Sequence, residues 1–497
     1  MHWVTGFISL YMKSAPAETK ALAAADENLV AGWAGPQLWS TLGLLAIPAT
    51  LAALVALLDL QLPAALLYGV AAAFGAILLY RMRRDSETLL ALVVCYLPLS
   101  KSYVASIAPG INATNILEVL LLLAWLLQST RSRQHQVAPR TDSRVVALWA
   151  ALSVLSMVTE TLRVGPSEFF SVHAENAKAW MDQFVVFFAF LNLIRDGKMA
   201  RRVAVYAMLS SVFVLALGFV EWLDKRDIDN MERARLLGPQ LQPNDLGGYL
   251  AYSAGPFLGL LLCNLTRIRG WLLAPYFLLL VRVVLATFSR GAYLGLGVAA
   301  VCAAFARGRL FFAAAALALA ATVTQFPSVV PQSLMERLGQ TTATANEQES
   351  YDKSTETRLT LWNAAIDMTL ENPILGKGFG SFATLKWKYT ETTVEEADNH
   401  NMFLYISSQM GIPALIGFVL VILRMMQLGV NLFRRCSDNF GRSLGLGGVA
   451  MAGSVIGVNM FGSRMVDIGV SVEFWVYLAV LAVMWQQMRV RTLETPR

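Results

Sequence analysis

Long apolar runs recur along the chain, separated by short polar stretches. Two of them are "LWSTLGLLAIPATLAALVALLDL" and "LFFAAAALALAATVTQF". Runs of about 18 or more apolar residues mark membrane-spanning helices, because barrel strands are shorter and alternate. The pattern predicts spans near 38–58, 62–80, 88–108, 112–128, 144–160, 179–194, 202–222, 245–266, 270–288, 291–306, 310–326, 401–423, 444–462 and 470–487. The expected fold is therefore all-α, a polytopic transmembrane bundle of about 12–14 spans with a large, partly helical outer loop. The chain divides into an N-terminal segment 1–37, helices over 38–326, the loop 327–400, and helices with a short tail over 401–497. In the first segment Trp3, Phe7, Leu10 and Tyr11 have helical spacing that fits an interfacial helix.

Composition agrees: 56% of residues are hydrophobic and only 15% charged, against about 25% charged in soluble domains. The net charge of +6 is not a nucleic-acid signal, because the basic residues fall in alternate loops. These are 81–84, 131–144, 195–202, 267–269, 307–309 and 434–442. Basic loops stay in the cytoplasm, which puts both termini there and loops 161–178, 223–244, 289–291, 327–400 and 463–469 outside. Cys95, Cys263 and Cys302 fall in spans and Cys436 in a basic loop, so no disulfide framework is expected.

Charges inside spans by default mark function. Lys101, Glu118, Asp182, Arg282 and Glu473 all fall in the outer halves of their spans. None falls near a midplane, where secondary transporters build their sites. Snorkelling of long side chains is the plainer account for Lys101.

The outer loops carry the candidate chemistry. In 327–400, residues 341–356 are polar and expected to be flexible. Leu359, Trp362, Ile366 and Leu370 then give an amphipathic helix one apolar face, to lie on the membrane or to cover the top of the bundle, and Asn372-Pro373 ends it. "PILGKGFGSF" follows, where Gly376, Gly378 and Gly380 permit a backbone that approaches an anion closely, or simply a tight structural turn. It lacks the spacing of a Walker loop. Arg233 and Arg235 precede a span for which Asn244 or Asp245 is a plausible cap; Arg290, Arg358 and Arg464 lie in other outer segments. Nonspecific contact with lipid phosphates accounts for any one of them. As a set they stand on the wrong side for a positive-inside excess, and the arginine fork suits phosphate.

Finally, "ADNHNMFLYISSQMG" sets His400, one of four histidines, at the mouth of a span. Capping by Asp398 or Asn399 puts it in the first helical turn, where the helix N-terminus favours neutral imidazole. Gly411 then lies about three turns below on the same face, near Ser407 and Ser408. A plain interfacial residue is the alternative reading of His400.

"PILGKGFGSF" followed by "ADNHNMFLYISSQMGIPALIGF" resembles the C-terminal domain of the O-antigen ligase and O-antigen polymerase superfamily. His400 to Gly411 matches that family's histidine-to-glycine spacing, and Arg233 to Leu237 its arginine-to-leucine motif; "RLLGPQLQPN" and "SRG" are also similar. The resemblance covers roughly residues 233–425. It implies glycan transfer at the periplasmic face of a bacterial inner membrane, without metal, nucleotide or other cofactor. The donor would be a glycan on a polyprenyl (usually undecaprenyl) diphosphate. The acceptor hydroxyl would belong to lipid A-core, another lipid-linked repeat or a pilin. Membrane lipids and other polysaccharide assembly proteins are the remaining expected partners, and nucleic acid is not one.

On this reading His400 is the base. Arg290 and one of Arg233 and Arg235 stabilise the leaving diphosphate. Arg358, Arg464, Asn244, Gly376, Gly378, Gly380, Asn401 and Arg282 are the expected substrate-binding residues. A transporter or lipid flippase, or a non-catalytic subunit of an assembly complex, are the competing classes.

Overall fold

A computed structural model describes residues 34–57, 85–102, 106–108, 111–131, 141–228, 230–325, 353–390 and 394–494, with short pieces between 76 and 82. The predicted N-terminal interfacial helix, the span at 62–80 and most of 341–356 lie outside the described residues.

The described helices are α1 (Pro36–Leu57), α2 (Ser86–Tyr96), α3 (Ala113–Arg131), α4 (Thr141–Val164), α5 (Pro166–Val172), α6 (Ala174–Leu193), α7 (Gly197–Lys225), α8 (Met231–Ala234) and α9 (Pro243–Cys263). They continue with α10 (Ile268–Trp271), α11 (Ala274–Ala286), α12 (Arg290–Arg307), α13 (Arg309–Gln325), α14 (Lys353–Glu371), α15 (Ser381–Leu385), α16 (Met402–Arg435), α17 (Asn439–Asn459) and α18 (Ile468–Glu494). Among the described residues, six helices are long and apolar enough to cross a membrane: most of α4, and α7, α9, α16, α17 and α18. Shorter apolar helices fill in between them.

One expected span is corrected. The run at 88–108 is α2 prolonged by a single 3-10 turn to Leu99, followed by a small antiparallel pair, Ser106–Ala108 with Ile111–Asn112. Pro98 opens the tighter turn, because it supplies no N–H to an α-ladder.

Glycine brings the central helices together. A Cβ on Gly255 would lie 2.7 Å from the Gly447 carbonyl, and one on Gly429 2.6 Å from that of Gly445. In a membrane, where apolar burial does not drive helix pairing, such backbone approach supplies the packing. Trp149, buried on α4, fills the centre against Trp180, Phe184, Phe418 and Trp475.

The two sets of loops gather at opposite ends. At one end Arg201 pairs with Asp438 (2.5 Å), Arg195 with Asp85 (3.7 Å), and Asn439 donates to Asn264. This is the basic end. At the other, Ser102 donates to the Pro239 carbonyl, Leu236 to Ala286, Ser463 to Asp398 and Trp362 to Asn399. The alternation of loops read from the sequence is thus a real division of the bundle into two ends.

Helix α16 is not one rod. Gly411 has φ 83° and ψ 170°, outside the helical region. Phe403 and Phe418 lie with ring centroids 5.8 Å apart, whereas fifteen residues of straight helix would separate them by about 22 Å. The chain therefore turns back at Gly411, and residues 402–410 form a separate short helix.

Candidate functional site

The loop before α16 is built from side chain to backbone bonds. Asn401 is the N-cap, its Oδ1 accepting from Phe403 (3.0 Å) and Leu404 (3.2 Å). Asn399 Oδ1 accepts from the Asn401 N–H, and its carbonyl accepts from Trp362 Nε1 at 2.9 Å. The expectation that Asp398 or Asn399 caps the helix is corrected, and His400 does not sit in the first turn. It stands outside the helix at φ 54°, in the left-handed region. Histidine reaches that region more readily than most side chains, but two hydrogen-bonded neighbours must hold it there.

His400 Nδ1 lies 3.6 Å from Asp398 Oδ2. That is too long for a hydrogen bond and close enough for a strong charge interaction. Ser463 fixes the carboxylate from its other side, donating to Oδ1 at 2.8 Å. Burial holds the imidazole below its ordinary pKa; the Arg358 and Arg464 charges push the same way, while Asp398 and Glu396 oppose them. Neutral imidazole is thus favoured at neutral pH. Beside it, buried Asn399 keeps an Nδ2 donor with no partner among the described residues. A buried donor left unpaired costs about 1–3 kcal/mol, which a ligand or water bonded to it recovers.

Arg464 is held firmly. Its Nη1 donates to Asp245 Oδ1 (2.5 Å) and Gln242 Oε1 (2.9 Å), and its backbone N–H to Asn459 Oδ1. Lys101 completes the group, paired with Asp245 (2.9 Å) and with Asp467. The turn carrying Arg290 abuts the same region. A Cβ on Gly291 would meet the Val458 carbonyl at 3.0 Å and Phe461 at 3.4 Å. Phe461 in turn packs at a tilt against Trp362 of α14 (ring centroids 6.1 Å apart), the helix that bears Arg358. Arg235 is tied to this turn through the Thr287 carbonyl (3.1 Å) and to Asn244 Oδ1 (3.2 Å). Arg235, Asn244, Arg290, Arg358, Arg464 and His400 therefore share one end of the bundle, on segments that touch one another.

Other expected site residues part from them. Arg233 is exposed, and its backbone N–H joins the Asn230 cap of α8. Arg282 is exposed and stacks over Trp222 at 4.4 Å, an interfacial packing role. Asn401 spends its side-chain oxygen as a cap.

The glycine loop is not an open anion cradle. The N–H groups of Gly376, Gly378 and Gly380 donate to Asn372 O, Gln409 O and Gln409 Oε1. All three residues have positive φ, and a Cβ on Gly378 would lie 2.4 Å from Glu160 Oε2. The Gln409 carbonyl, and that of Ser408 which accepts from Lys377, are free because the helix breaks at Gly411. The glycine therefore serves to turn the chain. It does not lie on a small-residue face three turns below His400, since no single helix connects the two.

The amphipathic helix α14 packs on its own loop through a second set of residues. Leu361, Ala364, Ala365 and Met368 are its buried face, packed on Phe382 and Val394. Leu359, Ile366 and Leu370 are exposed.

Two things were missed in the sequence. Asp245 and Asp467 balance Arg464 and Lys101; asking which acid neutralises each outer arginine would have found them. Glu160, Arg163 and buried His173 support the glycine loop, and no local motif in the sequence announces that.

Residues 275–419 match the family model described as O-antigen ligase. The match contains Arg290, Arg358, the glycine loop, His400 and Gly411, and leaves Arg235, Asn244 and Arg464 outside it. It shows the resemblance to the O-antigen ligase and polymerase superfamily over those residues and supports an activity of that general type. No curated protein matches the chain significantly.

Proposed function

We propose that this chain is a membrane glycosyltransferase. It moves a glycan from a polyprenyl diphosphate to an acceptor hydroxyl at the periplasmic face of the inner membrane, as a polysaccharide polymerase or an O-antigen ligase. The observation that carries the reading is His400, held in a strained backbone beside Asp398 and among arginines, inside the segment that matches the ligase family.

In the proposed step the acceptor oxygen attacks the anomeric carbon and the bond from that carbon to the diphosphate oxygen breaks. The hydroxyl proton passes to neutral His400. The electron pair leaves with the polyprenyl diphosphate, whose growing charge Arg290, Arg235, Arg358 and Arg464 offset. Asp398 lies on the Nδ1 side of the ring, which leaves Nε2 for the acceptor. Arg464 keeps Nη2 and Nε without partners among the described residues, so it can hold Asp245 and still meet a phosphate.

His400→Ala, assayed in proteoliposomes with a lipid-linked glycan donor, is expected to abolish transfer while membrane expression is retained. Full activity in that variant would remove the base from the scheme. Deletion in cells separates the two chemistries: single lipid-linked repeats accumulate when a polymerase is lost, and long lipid-linked chains when a ligase is lost.

A further inference from the structure

The turn that joins α14 to the glycine loop exposes large apolar side chains where a loop in water has no use for them. Leu370 is 71% exposed and Ile374 70%, with Leu375 beside them. The Pro373 carbonyl accepts the Ile412 N–H at 2.7 Å, which fixes this turn against α16 just below its break. Ile412, Ile416 and Leu423 are exposed along the rest of α16, the side a spanning helix turns to lipid. The exposed turn and that lipid-facing stripe are continuous.

Depth follows from the neighbouring helix. Gly429 of α16 backs onto Gly445 of antiparallel α17. The remaining length of α17, to Asn459, is about fourteen residues, which brings its end level with about residue 415 of α16. Since α17 has 21 residues, its length of about 31 Å matches the hydrocarbon thickness of a bilayer. Ile412 and the turn bonded to it therefore stand at the edge of the apolar slab, at the end of the bundle that carries His400.

The loop that follows this turn meets the condition such a location sets. Non-helical chain at membrane depth survives only where its polar groups are satisfied by protein. Every amide from Gly376 to Ser381 donates within the protein: to Asn372 O, Ser408 O, Gln409 O, Ser156 O, Gln409 Oε1 and Gly378 O in order. A polar rim sits beside the apolar tip, where Glu371 pairs with Lys377 (2.5 Å) and accepts from Tyr389 (2.7 Å). Trp387 is exposed close by, and Trp and Tyr concentrate at the headgroup level.

We infer that residues 370–375 form a re-entrant wedge seated in the acyl–headgroup boundary of the bilayer, so that the partner of this surface is membrane lipid. The wedge is locked through Pro373 and the glycine loop to the break at Gly411. Lipid seating thus fixes the short helix 402–410, and with it the height of His400 above the bilayer.

A nitroxide on Leu370→Cys or Ile374→Cys, in the full chain with its four native cysteines replaced by alanine and reconstituted in vesicles, reads this directly. The label is expected to collide with oxygen more often than with a water-soluble nickel chelate. A label on exposed Glu395→Cys is expected to show the reverse order. Chelate access at 370 and 374 equal to that at 395 overturns the inference, and shielding from both reagents overturns it in favour of a protein cover. If the cysteine-free chain does not fold, Ile374→Trp in the native chain replaces it. Lipids brominated on their acyl chains should quench its added emission beyond the parent's; no added quenching overturns the wedge.

Discussion

Replacing Asp398 with asparagine removes a negative charge 3.6 Å from the His400 ring and changes the shape of the site little. At that separation the attraction of a protonated imidazole is worth about 1 kcal/mol in water-like surroundings and about 4–5 kcal/mol at an effective dielectric of 20. The two side chains are 27% and 34% exposed, so water screens them and the lower figure governs. About 1 kcal/mol is a little under one pH unit.

The sign is fixed. Burial already holds the imidazole below its ordinary value, and Asp398 is the largest influence raising it. Without Asp398 the neutral form persists to still lower pH. A base acts only when neutral, so the acid limb of kcat/KM should start below about 6.5 in the parent. It should move down by about one further unit in Asp398→Asn. The plateau should fall as well, because the ring loses the carboxylate that sets its direction. The assay is release of polyprenyl diphosphate from a lipid-linked glycan over pH 4.5 to 8 in proteoliposomes. A limb that stays in place, or moves to higher pH, refutes His400 as the base that this limb reports.

Further outcomes follow from the same geometry. Arg464→Gln removes a charge that lowers the His400 pKa, so its acid limb should move to higher pH, opposite in sign to Asp398→Asn, while the plateau drops. Asp245→Asn should loosen Arg464 and cost about 10- to 100-fold in kcat/KM, from a charged hydrogen bond worth about 1.5–3 kcal/mol. Arg235→Ala should impair transfer far more than Arg282→Ala, whose side chain stacks on Trp222 away from the cluster; equal losses in initial rate would break the distinction. Gly411→Ala places a Cβ 2.2 Å from the Ile374 carbonyl at φ 83°. It should lower the midpoint of thermal unfolding in detergent and expose the 372–382 segment to protease.

Much of the architecture was legible in the chain. Apolar runs long enough to cross a bilayer can hardly be anything else, and the basic loops marked one end of the bundle because charge distribution along a sequence survives folding unchanged. Arg290, Arg358, Arg464 and His400 were legible for a related reason: charged and titratable side chains beside spans are few, and each stands out against an apolar background. The spacing from His400 to Gly411 was visible too, though its meaning was not.

What the sequence could not decide is where chain segments far apart in number touch. Helical periodicity assumes an unbroken helix, so it put Gly411 beneath His400. The break at Gly411 is a backbone torsion, stabilised by bonds to Pro373 and the glycine loop almost forty residues earlier, and no local pattern encodes it. Arg235 is held by the Thr287 carbonyl and Arg464 by Asp245, each far away in the chain. Composition and hydrophobic pattern by themselves determined that this protein spans a membrane and which polar groups it owns, because transfer from water to lipid is a property of each segment alone. Only the tertiary structure determined which of those groups meet, because hydrogen bonds and charge pairs depend on distances that the folded backbone sets.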